Sequence, residues 1–160
     1  MADLRFQYFS VAVRDLDEGV RRYEQFFGLK PVAEVNTQRW GFKGVMLGTD
    51  DGPVLELIQP EREDSALLRF MNLRQGDAYP NGEGLYLVGL QVADLEGMVQ
   101  RIEAAGGRIT READSPNAAW VHPLSNGNVF VELNRLPAED LPAEDLPAED
   151  LPAEDLPAEE

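Results

Sequence analysis

Residues 13 to 28 and residues 92 to 107 are one segment written twice. At a constant offset of 79, VRDLDEGVRRYEQFFG and VADLEGMVQRIEAAGG share Val13/Val92, Asp15/Asp94, Leu16/Leu95, Val20/Val99, Arg22/Arg101, Glu24/Glu103 and Gly28/Gly107. Each copy follows an apolar run, FQYFSVAV or LYLVGLQV. Each is followed later by a matching stretch, Val54-Leu55-Glu56-Leu57 or Phe130-Val131-Glu132-Leu133. Such a chain uses one module of strand, helix and further strands twice. The groove between the two copies is the expected functional site.

The local signals define the module. Phe6 to Arg14 is rich in β-branched and aromatic residues and ends at Asp15, which can cap a helix with Glu18 at capping-box spacing. Leu16, Val20, Tyr23 and Phe27 recur at helical spacing, and Gly28 supplies the stop. The second copy repeats this with Asp94 as cap, Leu95, Met98 or Val99, Ile102 and Ala105 as the buried stripe, and Gly106-Gly107 as the stop. Lys30 to Val35, Gln38 to Leu47 and Val54 to Gln59 read as strands, as do Leu85 to Val92, Gly107 to Thr110, Ala118 to Val121 and Val129 to Asn134. The expected fold is α+β, with two tandem βαβββ modules forming a cupped mixed sheet. Module one spans 5–60 and module two 84–134. The linker 61–83 carries a short amphipathic helix over Ser65 to Arg74 and a Tyr79-Pro80-Asn81-Gly82 turn. Together they make one domain, residues 1–135.

The net charge of −16 belongs largely to the end of the chain. From Leu136 the sequence LPAED runs in five tandem copies, the last ending in Glu160, and these hold ten of the thirty acidic residues. The remainder is near −6 and lacks the basic stripe that nucleic acid requires. A proline every fifth residue forbids a helix, so 136–160 is expected to be an extended, disordered acidic tail. With no cysteine there are no disulfides, thiolate metal sites or cysteine nucleophile. No signal-peptide pattern and no membrane-length apolar run is seen, so a cytoplasmic protein without membrane partners is expected.

Alternation of side chains along strands sorts the residues around the groove. Phe9, Val11 and Val13 face the first helix, leaving Tyr8, Ser10 and Ala12 opposite. Val88, Leu90 and Val92 face the second, leaving Leu87, Gly89 and Gln91. Glu56 and Glu132 stand at equivalent places on the closing strands, which gives a concave surface holding two carboxylates.

The module order, the openings YFSVAVRDL and LVGLQVADL, and the closings VLELIQP and HPLSNGNVFVEL resemble the vicinal oxygen chelate, or glyoxalase, superfamily over residues 5 to 134. The stretch from Trp120 to Leu133 is similar to the closing segment of its methylmalonyl-CoA epimerase branch. The resemblance implies a divalent metal held by one side chain from each opening and closing strand, positions that fall here on Tyr8, Glu56, Leu87 and Glu132. Leucine offers no lone pair, and a neutral phenol is a poor ligand beside imidazole. Glu56 and Glu132 with waters would hold Mg²⁺ or Mn²⁺ only weakly, and no other cofactor is expected. Where the branch carries an acidic proton-transfer residue, this chain reads Gly41-Phe42-Lys43-Gly44-Val45-Met46.

The remaining candidates each carry two readings. Glu56 and Glu132 are either a catalytic pair, one raising the pKa of the other, or satisfied residues of a vacant site. Tyr8 either donates to a ligand oxyanion or plugs the metal position. His122, the only histidine, either ends a strand before Pro123 or contacts ligand. Ser125-Asn126-Gly127-Asn128 is a turn before it is an anion site. Trp40 and Trp120, on strands of different modules, wall an apolar pocket or fill the core. With Ser10, Leu87 and Gln91 they line a cavity for a small organic acid, thioester or aromatic compound, bound without the usual metal. The alternative is an epimerase, isomerase or lyase using Glu56 and Glu132. The sheet edges invite pairing, so a homodimer is an expected assembly.

Overall fold

The structure, a computed structural model, describes residues 4–35, 38–137 and 140. Residues 141–160, most of the expected extended tail, lie outside the described residues. The elements run β1 (Leu4–Ala12), α1 (Leu16–Phe27), β2 (Lys30–Val35), β3 (Phe42–Thr49), β4 (Gly52–Pro60), α2 (Ala66–Arg74), β5 (Gly84–Val92), α3 (Leu95–Ala104), β6 (Ile109–Thr110), β7 (Ala118–Val121) and β8 (Phe130–Arg135). They form one eight-stranded sheet in the order β2-β3-β4-β1-β5-β8-β7-β6, the expected α+β arrangement of two tandem βαβββ modules. Among the described residues no helix is long and apolar enough to cross a membrane.

The two modules meet where β1 and β5 pair antiparallel, and each pairs parallel with its own closing strand, β4 or β8. The duplication therefore becomes a pseudo-two-fold at the sheet centre. It extends to the irregularities: the β1–β5 register slips by one residue between Phe6 and Tyr8 and slips back between Ser10 and Val11. The residues left unpaired, Gln7 and Tyr86, are again 79 apart.

The local helix signals work as the sequence implies. The Asp15 side chain accepts from the Glu18 amide at 2.8 Å, and Asp94 accepts from the Gly97 amide at 2.8 Å. Ser65 accepts from the Leu68 amide at the start of α2. Gly28 ends α1 in the left-handed region at φ 70°, which spares a side chain the steric penalty there. One face of the sheet holds α1 over Val13, Leu47, Leu55 and Leu57, and α3 over Val92, Val131 and Leu133. α2 packs over the other face, with Leu67 and Met71 on Ala12 and Ile58.

Three expectations are corrected. Phe27 and Ala105, the last members of the two helical stripes, are exposed; α1 outruns the sheet beneath it, and Phe27 rests on Tyr23 instead, with ring centroids 5.5 Å apart. The strand expected from Gln38 begins only at Phe42, because Gly41 turns the chain at φ 78° and Gln38–Trp40 form a 3-10 turn. Leu136, counted with the tail, is 2% exposed, and its amide donates to the Val92 carbonyl at 2.9 Å, prolonging the β5–β8 ladder by one residue.

Candidate functional site

The face opposite α1 and α3 carries both glutamates. Register alone sets the arrangement: Ser10 pairs with Glu56 on one side and Leu87 on the other, while Gly89 pairs with Glu132 and Tyr8. Ser10 and Gly89 are thus equivalent across the pseudo-two-fold, as are Tyr8 and Leu87. The symmetry of the backbone is broken by what these side chains do.

Ser10 Oγ donates to Glu56 Oε2 on the neighbouring strand of its own module. Tyr8 lies across Gly89 and its hydroxyl donates to Glu132 Oε2 in the other module. This crossing needs a glycine beneath it, since a Cβ at Gly89 would stand 2.7 Å from the Tyr8 ring. Each carboxylate therefore has a hydroxyl donor. One is buried serine within a module and the other is tyrosine between modules.

Burial sets the electrostatics. Glu56 is 6% exposed, and desolvation of the charged form pushes its carboxyl from an ordinary 4.5 up to about 7. The charge of Glu132 pushes the same way, and the Ser10 hydrogen bond opposes both. Burial first, then the charges of Glu132 and Glu56, hold the Tyr8 phenol protonated far above its usual range. Tyr8 is accordingly a donor at any ordinary pH.

An apolar wall surrounds the pair. Leu87, Ala118 and Trp120 are buried against Tyr8, Trp40, Tyr86 and Phe130. Trp120 pairs across strands with Glu132. The 3-10 turn of module one straps over to module two: Trp40 Nε1 donates to Glu112 at 3.0 Å, its ring meets Trp120 edge-on at 6.2 Å, and Arg39 pairs with Asp114 and donates to Ser115 at 2.7 Å. Trp40 and Trp120 thus come together, although Trp40 arrives on a turn rather than a strand. At the far end of the face, half-buried Gln91 pairs between Arg5 and Asn134, and Asn134 donates to the Gln7 side chain at 3.0 Å.

His122 is used otherwise. Its Nδ1 accepts from the Leu124 amide at 3.2 Å and so caps the short turn Pro123–Ser125. Gly127 and Asn128 follow with positive φ, so Ser125 to Asn128 serve as a turn. A cleft of about 910 Å³ opens away from the glutamates, between Leu16, Val20 and Arg21 of α1 and Pro31, Lys43 and Val45 of the sheet edge.

The residues at the four metal positions do not fit a divalent cation. Leu87 contributes no donor atom, the Tyr8 phenol is neutral and spent on Glu132, and among the described residues no three His, Cys, Asp or Glu side chains cluster as a ligand set. The sequence places Tyr8 and Ser10 on this face, but which glutamate each meets and the role of Gly89 escape that reading. The signal was the mismatch of Ser10 with Gly89 at equivalent positions, which marks where one side chain must lie over the other strand.

Residues 7–121 match the Glyoxalase/Bleomycin resistance protein/Dioxygenase superfamily. Among solved structures the chain resembles methylmalonyl-CoA epimerase from Mycobacterium tuberculosis at 23% identity and a TM-score of 0.68, covering 83% of this chain and 88% of that one. A Streptomyces coelicolor methylmalonyl-CoA epimerase variant, in complex with 2-nitronate-propionyl-CoA, is 26% identical with a TM-score of 0.66, covering 82% and 96%. A hypothetical protein from Bacillus halodurans is 21% identical with a TM-score of 0.70, covering 84% and 96%. No protein of curated function matches the chain. With more than half its length matched by the family and the paired modules in place, the chain belongs to the glyoxalase, bleomycin resistance protein and dioxygenase superfamily.

Proposed function

We propose that the glutamate face binds a small organic acid, thioester or aromatic compound without the divalent metal usual to the superfamily. The observation that carries this reading is the pairing of each glutamate with a hydroxyl, Ser10 with Glu56 and Tyr8 with Glu132, beside a leucine at the fourth position. These carboxylates have donors of their own, and the surrounding aromatic wall suits an apolar ligand body with few polar contacts. The acyl-CoA analogue held by the Streptomyces coelicolor epimerase supports a thioester among the candidates.

A second reading is favoured by one feature, the Glu56 carboxyl at about 7. A group that titrates near neutrality is matched to proton transfer. In this reading one glutamate takes the proton from the carbon beside a thioester carbonyl, and the other, protonated, returns one to the opposite face, giving an epimerase or related isomerase. Tyr8 keeps its hydroxyl on Glu132 and orients that carboxylate for the transfer.

Exchange of the α-proton of acyl-CoA esters in deuterated water separates the two. Binding without exchange supports the first reading, and exchange abolished by Glu56→Gln or Glu132→Gln supports the second. If both variants bind and exchange like the wild type, the glutamates are structural and both readings fail.

A further inference from the structure

Arg74 ends α2, and its guanidinium is held without an anion. The charge sits over the Tyr79 ring at 4.6 Å and the Phe70 ring at 5.2 Å. Aromatic faces stabilise a cation but accept no in-plane hydrogen bond. Its Nε is buried with no hydrogen-bond partner, and among the described residues no carboxylate forms an ion pair with it. A buried donor left unmade costs stability, so its persistence calls for a reason. Nη2, on the same edge of the guanidinium as Nε, lies against Gly84, where a Cβ would stand 2.9 Å away. The backbone is thus cleared for this edge.

The location connects Arg74 to the glutamate face. Gly84 pairs with Ala12, and Ala12 shares its face with Ser10, two residues or about 6.6 Å along the strand. Ser10 holds Glu56. Phe70 packs edge-on against Tyr86 at 5.0 Å, and Tyr86 against Phe130 at 5.6 Å, so aromatic rings lead from the Arg74 stem into the cluster around Leu87 and Tyr8. α2 therefore closes one end of the face with a cation whose donor edge is unspent.

We propose that Arg74 anchors the carboxylate of a small organic acid, the Nε and Nη2 hydrogens each donating to one carboxylate oxygen while the rest of the ligand extends toward Ser10 and Glu56. The proposal rests on reading that face as the ligand site. A planar two-oxygen acceptor matches this edge of a guanidinium. A phosphate brings more negative charge toward two glutamates and fits less well.

The test uses the full chain, with the arginine Nε–H and backbone amide resonances followed by NMR. Malonate, its neutral diamide malonamide, and inorganic phosphate are the probes. Malonate should shift the Arg74 Nε–H and the Gly84 amide, and malonamide should not. Arg74→Met keeps an apolar stem against Phe70 and Tyr79 and should weaken malonate binding roughly ten- to a hundredfold, the worth of a charge-assisted bidentate contact. Arg74→Lys, charged but without the fork, should fall between. The proposal is overturned if Arg74→Met binds malonate as the wild type does, if malonamide gives the same shifts, or if malonate gives none up to its solubility. Tighter binding of phosphate than malonate overturns the carboxylate assignment. Failure of the glutamate reading looks different: Glu56→Gln and Glu132→Gln then leave acyl-CoA binding and exchange unchanged while the Arg74 response to malonate persists.

Discussion

Glu56 makes the stability of the protein depend on pH in an unusual direction for a carboxylate. Its folded pKa, about 7, lies above the ordinary 4.5, so the folded state holds this proton more tightly than the unfolded chain. The associated stability is fully present below about 4.5 and is lost as pH rises through about 7. Converted at 1.36 kcal/mol per tenfold change in proton affinity, the loss is roughly 3 kcal/mol. Glu56→Gln removes the titration while keeping a polar group for Ser10 to meet. Urea midpoints at pH 5, 6.5 and 8 should show the variant overtaking the wild type by roughly 2 to 3 kcal/mol at pH 8. Parallel pH curves for the two proteins would show that Glu56 is not the titrating group. The glutamates were legible in the sequence because the repeat marks them twice. Which hydroxyl meets which glutamate was not, since Tyr8 reaches over Gly89 to Glu132, 124 residues along the chain. Arg74 gave no signal either, being one cation at the end of an amphipathic helix.

At the scale of elements, the strap Gln38–Trp40 is held in two ways that should be energetically unequal. The Arg39 pairs with Asp114 and Glu112 are partly exposed, and such pairs contribute little. Trp40 packs on Phe42 and Trp120 and satisfies its indole N–H on Glu112. Arg39→Ala should therefore change stability by less than about 1 kcal/mol, while Trp40→Ala should cost roughly 2 to 4 kcal/mol, both measured by denaturant unfolding. Equal effects would mean that the ion pairs hold the strap. The helices were readable because their signals are local: Asp15, Ser65 and Asp94 each accept from an amide three residues further along. The strap was not, because Gln38 to Trp40 look extended until Gly41 takes its left-handed turn, and the groups that secure them lie over seventy residues away in module two. Phe27 misled for a related reason. Helical spacing tells which side of α1 it occupies but not that the sheet ends before reaching it.

For the molecule as a whole, the domain extends into the repeats. Leu136 begins the first LPAED copy yet is buried and bonded to Val92, because β8 continues past Arg135 alongside β5. Ending the chain after Arg135 should cost roughly 2 kcal/mol, several degrees in melting temperature. Ending it after Pro137 should change the melting temperature by only a degree or two. The same drop for both chains would place the stabilising contact further along the repeats. The paired slips in the β1–β5 ladder carry a wider consequence. In a crystal, two lattice dislocations of opposite sign cancel at a distance and distort only the strip between them. Gln7 and Tyr86 act this way: outside them the strands are in phase, and between them three pairs, Tyr8–Gly89, Phe9–Val88 and Ser10–Leu87, run one residue out of step. Tyr8, Ser10, Leu87 and Gly89, the β1 and β5 positions of the glutamate face, lie in that strip. Deleting Gln7 alone would leave one dislocation, at Tyr86, while Phe6, now next to Tyr8, keeps Leu90 opposite it and Leu4 and Arg5 keep Val92 and Gln91. Deleting Gln7 and Tyr86 together would leave every pair in place on a continuous ladder and remove only the two kinks between which the site is set.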